Sequence, residues 1–300
     1  MTRKPLVSIV VNCFNGEKYL REALDSVIAQ TYTHWELIFW DNKSTDSSRA
    51  IFDSYHDSRF KYFLADSHTV LYAARNGAIA HCKGVFICFL DIDDWWSAEH
   101  ISRQVHLFDS PQVGVVCGNY WVVNELTGRR KIRFRKAQPT GLVLDALLSN
   151  YFVGLLTLMI RKSALEGLSY IFNDRYHIIG EFDLVLRLAK TSYLDFDNQP
   201  TAFYRVHGQN ETTRHRGLQV EELEHWRKTT AIQEAISQSK RFPLFEEFIL
   251  YKRGMFQALH GNRTNVLANA NMLPWGRQRF ILLLTLVFPR PLLRWVVVMA

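Results

Sequence analysis

The sequence has few cysteines and no uninterrupted apolar run long enough to cross a bilayer. Its four cysteines show no CxxC pair and no zinc-ligand spacing, and three of them lie in apolar runs. These features favour buried thiols in a reducing compartment. No signal peptide opens the chain, so we expect a cytoplasmic location.

Acidic residues are outnumbered by basic ones, which indicates anionic partners. The 36 Lys and Arg residues against 29 Asp and Glu give a net charge of +7. A nucleotide diphosphate, phospholipid headgroups or nucleic acid would suit that charge. The chain has no recognised nucleic-acid-binding motif, so we expect no nucleic-acid partner. With 48% apolar and 22% charged residues in 300, it is long enough for one large domain or a domain plus an appendage.

Strand and helix patterns alternate four times in the first third of the chain. The predicted strands are 6–11, 35–40, 61–64 and 85–90, and the helices are 17–30, about 47–55 and 71–81, the last ended by Gly84 as a left-handed cap. This alternation predicts βαβ units, and therefore an α/β fold with a mostly parallel central sheet flanked by helices.

The stretch GVFICFLDIDDWW, residues 84–96, combines a buried-strand pattern with three carboxylates, Asp91, Asp93 and Asp94. Charges beside a core strand are costly unless they are paired or bound to a metal. A hard divalent cation, Mg²⁺ or Mn²⁺, would take these oxygen ligands and a substrate's phosphates. Ligands of open α/β sheets lie at such strand ends. The alternative is a solvated acidic turn that caps the next helix.

The second half of the chain is less regular. We expect helices over 98–108 and 180–190, strands over 113–123, 131–135 and 202–206, and mainly helix from Leu218 with breaks near Pro243 and Gly261. Six of the eight residues from Arg129 to Lys136 are basic. They form either a solvated edge strand or a contact with an anionic acceptor or membrane headgroups.

The last residues hold two short apolar pieces, 280–288 and 292–298, separated by Pro-Arg-Pro. Neither piece reaches the roughly 18 residues of a spanning helix. Arginines and two tryptophans, Trp275 and Trp295, accompany them. This composition is typical of a segment lying in a membrane interface, and the alternative is a hairpin packed on the domain or on a second subunit.

An ordered set of motifs resembles the family 2 glycosyltransferases with a GT-A fold. The motifs are VSIVVNCFNGEKYLREALDSVIAQ, WDNKSTDSS, AARNGAIAHCKGVFICFLDIDDWW, GEFDLVLRLAK and YRVHGQN, within residues 5–210. The resemblance implies a GT-A domain over residues 1–215, and the helical remainder, 216–300, would be an extension. It also implies an enzyme that moves a sugar from a nucleotide-diphosphate donor, UDP-linked, to an acceptor hydroxyl with inversion.

The resemblance places the nucleotide on residues that follow the first strands. In the family the first loop contacts the nucleotide, often through Pro-Thr-Tyr-Asn, whereas here it reads Asn12-Cys13-Phe14-Asn15. Phe14 would stack on the base, while Asn15 with Gly16 also fits plain turn chemistry. Asp41 matches the residue that accepts from the uracil ring, and Arg75 matches a position near the base or diphosphate.

The same resemblance assigns the metal and the base. Asp91 would lie near the ribose or the metal, Asp93 would bind Mn²⁺ or Mg²⁺, and His207 would approach the metal or diphosphate. Glu181 would deprotonate the acceptor hydroxyl, because a hydroxyl is a poor nucleophile without a positioned carboxylate. Asp183, two residues on, remains the alternative base.

The expected acceptor is a glycan or a lipid-linked glycan in bacterial surface-glycan assembly (lipopolysaccharide, O-antigen, capsule or exopolysaccharide). Peripheral contact with the inner face of the cell membrane would run through the C-terminal segment. Two alternatives stay open. A sugar-nucleotide nucleotidyltransferase would be expected to carry a Gly-rich basic loop after the first strand, which residues 12–16 do not form. A degenerate GT-A domain would serve as a carbohydrate-binding or assembly module.

Overall fold

The structure, a computed structural model, describes residues 4–229 and 236–288. The chain divides into two compact units: Met1–Leu147 with Tyr151–Asn210, and Leu148–Asn150 with Glu211–Ala300. The first unit holds the sheet and the second is helical.

Nine strands form one sheet in the described part of the first unit. They are β1 (Val7–Cys13), β2 (Trp35–Asp41), β3 (Phe60–Leu64), β4 (Phe86–Phe89), β5 (Trp95–Trp96), β6 (Val113–Asn124), β7 (Arg130–Ile132), β8 (Met159–Arg161) and β9 (Tyr193–Val206). The order is β3-β2-β1-β4-β8-β6-β9-β5, with β7 paired to β6.

The helices lie between these strands and in the second unit. They are α1 (Leu20–Ile28), α2 (Ser48–Asp53), α3 (Leu71–Ile79), α4 (His100–His106), α5 (Leu144–Ser149), α6 (Lys162–Leu165), α7 (Gly180–Leu188), α8 (Glu211–Arg214), α9 (Arg216–Lys228), α10 (Phe242–His260), α11 (Arg263–Met272) and α12 (Arg277–Thr285). A 3₁₀ turn covers Leu155–Thr157.

The predicted α/β class with a helical C-terminal region is confirmed. Strands β1 to β4 are parallel to one another, as the alternation predicts. The other half of the sheet is mixed, because β8 runs antiparallel to both β4 and β6 while β9 is parallel to β6. As a result, the carboxyl-terminal ends of β1, β2, β4 and β9 all lie along one side of the sheet, which is the edge referred to below.

Burial explains why the first strands form. Strand β1 is buried at nearly every position, and β4 at all four. Helix α1 places Leu20, Leu24 and Val27 against the sheet at helical spacing, each with no exposed surface. This cluster fixes the strand ends on which the polar loops stand.

Two local predictions need correction. Gly84 is not a left-handed cap: α3 ends at Ile79 in right-handed geometry, and Gly84 has no positive φ. A Cβ on Gly84 would lie 2.5 Å from the Ser8 nitrogen, so the glycine serves a close approach between strands. The strand predicted over 202–206 begins much earlier, at Tyr193.

The second unit is built on long helices. Helix α10 begins beside Pro243 and ends at Gly261, near the two predicted breaks, and the φ of 77° at Gly261 makes it a left-handed cap. Leu282 of α12 packs against Gly254 of α10, where a Cβ would lie 2.6 Å from the leucine. The predicted apolar piece 292–298, with Trp295, lies outside the described residues. None of the helices within 4–229 and 236–288 has the length and apolar content needed to cross a membrane.

Candidate active site

The polar loops predicted to form the site follow β1, β2, β4 and β9, at the shared edge of the sheet. The register of β1 with β2 pairs Cys13 with Asp41. The amide of Asn42 donates to the Cys13 carbonyl at 2.8 Å, which extends this pairing into the loops. The first and second loops therefore lie side by side, as ligand loops of an α/β sheet do.

Asn15 connects these two loops. It has a positive φ of 51°, a conformation that asparagine tolerates better than most residues. Its side-chain oxygen accepts from the Thr45 amide at 2.8 Å, and its own amide donates to the Ser44 hydroxyl at 3.0 Å. The side chain thus performs turn chemistry, and its predicted nucleotide contact stays a prediction.

Asn12 lies near the carboxyl-terminal end of β1. Neither polar atom of its side chain has a hydrogen-bond partner within the described residues, and both are shielded from solvent. A buried amide without partners is unusual. The predicted contact of Asn12 with the nucleotide also stays a prediction.

Asp41 is held in one orientation at the end of β2. One carboxylate oxygen accepts from the Ser44 amide at 2.7 Å and the other from the Tyr62 hydroxyl at 2.6 Å. The residue is only 2% exposed. A carboxylate oxygen has two acceptor positions, so each Asp41 oxygen keeps one position that these two bonds do not use.

Phe14 lies against His68, a residue that the sequence analysis did not select. The ring centroids are 4.2 Å apart, and Phe14 is 48% exposed. The Nδ1 atom of His68 lies 2.9 Å from the Asn42 carbonyl, which fixes the imidazole to the loop after β2. Phe14 and His68 together offer an aromatic surface beside the loop that follows β2. A histidine in an irregular loop gives no sequence signal of this kind.

Asp91 is paired with Arg75 of α3. The Nη2 atom of Arg75 lies 2.6 Å from Asp91 Oδ1. The arginine side chain is 3% exposed, whereas that of Asp91 is 37% exposed. A buried guanidinium needs such a partner, and it leaves one face of the carboxylate toward solvent.

Asp93 and His207 meet after β4 and β9. His207 Nε2 lies 2.9 Å from Asp93 Oδ2. Burial and the neighbouring Asp91 charge raise the pKa of Asp93. Asn210, which sequence analysis missed within YRVHGQN, accepts from the His207 amide at 2.7 Å and lies 3.5 Å from Asp93 Oδ2.

Asp94 points into the protein. It accepts from the Arg205 amide at 2.9 Å, and burial raises its pKa well above the usual range. Arg205 donates from Nε to the Asp93 carbonyl at 2.9 Å and forms an ion pair with Glu22. These contacts attach the turn 91–94 to β9 and hold Asp93 near His207.

Glu181 stands at the first turn of α7 with Tyr72 as its partner. The Tyr72 hydroxyl donates to Glu181 Oε2. Burial raises the pKa of Glu181, while Tyr72 and the Arg75 charge oppose that rise. Arg75 therefore interacts with both Asp91 and Glu181, which brings the predicted base and the predicted donor residues together.

Asp183 does not face these groups. Its side chain is fully buried and pairs with Arg187 at 2.8 Å within α7. The guanidinium of Arg187 also donates to the Tyr170 carbonyl at 2.7 Å. Of the two candidate bases, Glu181 is the one joined to the Arg75–Asp91 pair.

The residues at this edge suit a divalent cation. Asp91, Asp93 and His207 offer carboxylate oxygens and an imidazole nitrogen, and the two carboxylate side chains retain 37% and 24% exposure. Burial, and after it the Asp91 charge, raise the pKa of Asp93, and a bound cation would favour the ionised carboxylates. These donor types are ones that Mn²⁺ or Mg²⁺ can take.

Comparison with known proteins gives the family of this chain. The family model "Glycosyl transferase family 2" matches residues 8–168. This chain belongs to that family. The family predicted from the sequence motifs is thereby confirmed.

Relatives with named activities include an Escherichia coli enzyme, UDP-Glc:alpha-D-GlcNAc-diphosphoundecaprenol beta-1,3-glucosyltransferase WfgD. It is 31% identical over 167 residues, which cover 56% of this chain and 64% of that protein. The chain thus spans less than two thirds of the length of this relative.

Solved structures share the fold. S. aureus TarS 1–349 in complex with UDP-GlcNAc matches with a TM-score of 0.63 at 15% identity, over 89% of this chain and 81% of that one. The mannosyltransferase PcManGT from Pyrobaculum calidifontis, in complex with GDP-Man and Mn²⁺, also matches with a TM-score of 0.63. It is 16% identical, and the match covers 98% of this chain and 84% of that one. The GT-A fold is therefore confirmed.

Proposed function

We propose that this chain transfers a sugar from a UDP-linked donor to an acceptor hydroxyl, with inversion at the anomeric carbon. The observation that carries the proposal is the contact of Arg75 with Asp91 together with its charge interaction with Glu181. It links a carboxylate suited to the donor with one suited to deprotonate the acceptor. The TarS complex contains UDP-GlcNAc, and the E. coli relative is named as a UDP-Glc enzyme, which supports a UDP donor.

The reaction would proceed in one displacement. The acceptor oxygen attacks the anomeric carbon while its proton passes to a Glu181 carboxylate oxygen. The bond from the anomeric carbon to the UDP phosphate oxygen breaks, and UDP leaves with the electron pair. A Glu181 pKa raised by burial suits proton acceptance near neutral pH.

The remaining residues would bind and orient the donor. Asp41 would accept from the uracil ring, and Phe14 would stack on it. Asp91, Asp93 and His207 would hold a divalent cation, which when bound neutralises charge on a departing diphosphate. Arg75 would keep Asp91 and Glu181 in place.

We also propose a lipid-linked glycan acceptor at the inner face of a bacterial membrane. The E. coli relative is named as acting on a GlcNAc-diphosphoundecaprenol acceptor. In this chain Trp275, Phe280 and Val287 are 78%, 60% and 79% exposed beside Arg277 and Arg279, which supports an interfacial segment. In this proposal residues 1–215 carry the transferase and 216–300 the helical extension. Deletion of residues 275–300 should reduce partition into membranes, and unchanged partition would count against the contact.

The test is UDP release from UDP-glucose by the full chain with Mn²⁺. Wild type should release UDP and Asp93→Ala should not, while the exposed control Asp109→Ala should behave as wild type. Proton NMR of the product should show the opposite anomeric configuration from the donor. Wild type that turns over no nucleotide sugar would instead favour a binding or assembly module. Conversion of UDP-glucose and added pyrophosphate to UTP and glucose 1-phosphate would favour a nucleotidyltransferase.

A further inference from the structure

A basic concave surface lies at the edge of the sheet, away from the acidic residues of the candidate site. It has a volume of about 520 Å³ and is lined by Trp121, Arg130, Lys131, Ile132, Arg133 and Arg135. The depression is open to solvent and is lined mainly by basic side chains. Its volume exceeds what a single inorganic anion would fill.

The charges on this surface are not neutralised by the protein. Arg130, Lys131 and Arg135 are exposed, and no ion pair of the described residues includes them. The nearby acid on the same hairpin, Glu125, already pairs with Lys18 at 2.8 Å. Solvated lysine and arginine side chains protect the edge strand of a sheet. That role requires neither a concave surface nor a tryptophan in its lining.

Strand pairing connects this surface to the candidate site. Strand β7 pairs with β6, placing Arg130 opposite Val123, and β6 pairs with β9, placing Val123 opposite Arg205. His207, the partner of Asp93, follows β9 directly. The basic surface is thus two strands away from the residues suited to the metal.

Tyr120 of β6 provides a second connection. The Arg133 amide donates to the Tyr120 carbonyl at 2.9 Å. Burial raises the pKa of the Tyr120 phenol, the Arg133 charge opposes the rise, and the Asp94 and Glu181 charges add to it. The phenol therefore lies within electrostatic reach of both the basic strand and the candidate base.

The two surfaces differ in what they bind unaided. Asp91 and Asp93 need a cation before they attract a diphosphate, whereas Arg130, Lys131 and Arg135 attract a phosphate directly. Arginine guanidinium groups bind phosphate oxygens through paired, charge-assisted hydrogen bonds. Two anionic groups would then be held apart, one on each surface.

We propose that this basic surface binds the phosphate group of a phosphorylated acceptor, so that the acceptor hydroxyl reaches Glu181. The inference rests on the proposed function and adds the place where the acceptor binds through its phosphate or diphosphate ester. The donor binds beside Asp91 and Asp93, and the acceptor phosphate binds on the basic surface.

The experiment measures binding of N-acetylglucosamine 1-phosphate to the full chain by calorimetry, with UDP and Mn²⁺ filling the donor site. The test variant combines Arg130→Gln, Lys131→Gln and Arg135→Gln. The control variant removes three exposed charges elsewhere, Lys83→Gln, Lys190→Gln and Lys240→Gln. Thermal unfolding checks that both variants fold.

Wild type and the control should bind the sugar phosphate at least about tenfold more tightly than the test variant does, a difference that a few partly screened charge contacts supply. The neutral methyl glycoside should bind wild type about tenfold more weakly. Equal binding by wild type and the test variant would overturn the proposal, as would no binding by wild type. Inorganic phosphate binding as tightly as the sugar phosphate would also overturn it.

A membrane role for the strand predicts a different pattern. The test variant would then lose binding to phosphatidylglycerol vesicles while keeping its affinity for the sugar phosphate, which would contradict acceptor binding. UDP-glucose turnover is measured separately. Its absence in wild type removes the proposed function and this inference with it, whereas turnover with unchanged probe affinity in the test variant removes this inference alone.

Discussion

The hydroxyl of Tyr72 on α3 donates a hydrogen bond to the carboxylate of Glu181 on α7. Because this bond favours the ionised carboxylate, it lowers a Glu181 pKa that burial raises. Tyr72→Phe should therefore raise the pKa of Glu181 further. The acid limb of the kcat profile should move to higher pH, because Glu181 must be ionised to accept a proton. Tyr55→Phe, which removes a hydroxyl bonded to Asp25, should leave the profile unchanged.

Substitutions of the two candidate bases, Glu181 and Asp183, should have different effects, one on catalysis and the other on stability. Glu181→Gln should lower kcat about 10²–10⁴-fold, the usual contribution of general acid–base catalysis, while UDP affinity is retained. Asp183→Asn should instead destabilise the fold by about 3–5 kcal/mol, because it leaves a largely buried Arg187 without its charged partner. Kinetics and denaturant unfolding of both variants test this, and the opposite pattern would assign the base to Asp183.

Gly180 sets the distance between Tyr72 and α7. A Cβ at this position would lie 2.5 Å from the Tyr72 ring, so Gly180→Ala should cost about 1–3 kcal/mol through overpacking. It should also lower kcat by displacing the hydroxyl from Glu181. Gly167→Ala meets no atom within 4 Å, and we expect its free energy of unfolding to stay within about 0.5 kcal/mol of wild type. Equal stability of the two variants would refute this role of Gly180.

His100 should make the fold sensitive to acid. Burial lowers its pKa to about 3, below the unfolded value of about 6.5. The unfolded chain therefore binds more protons, and stability falls as the pH drops from about 6.5 toward 3, by up to about 1.4 kcal/mol per unit. His100→Gln should flatten this slope in denaturant unfolding between pH 4 and 7. The exposed His106→Gln should not, and a His100→Gln slope equal to that of wild type would rule the effect out.

Local patterns predict the first half of the fold well, because β1, β2 and β4 are buried along nearly their whole length and α1 has a clear apolar stripe. The start of β9 was missed because Pro200 interrupts the strand pattern. The structure accommodates it in a bulge: residues 198–201 stand opposite Asn119 alone, between the pairs Gly118–Asp197 and Tyr120–Ala202. Asn119 fills the gap by donating to the Asn198 carbonyl at 3.2 Å.

The candidate site was predictable only where residue types carry the chemistry. Asp91 and Asp93 stand out because carboxylates follow a buried strand. Tyr72 does not stand out in the sequence, because its partner Glu181 is 109 residues away and no local pattern joins the two residues. His68 was missed for a similar reason, since its contact with Phe14 depends on two loops meeting at one edge of the sheet.

The central claim is that Asp93 and its neighbours hold a cation that carries the nucleotide diphosphate. The most direct test is the shift in unfolding temperature produced by UDP with and without Mn²⁺, since a ligand of the folded state stabilises it by mass action. We predict that UDP stabilises wild type and Asp109→Asn only when Mn²⁺ or Mg²⁺ is present, and that Asp93→Asn loses this stabilisation. Equal stabilisation by UDP without metal, or in Asp93→Asn, would contradict the claim.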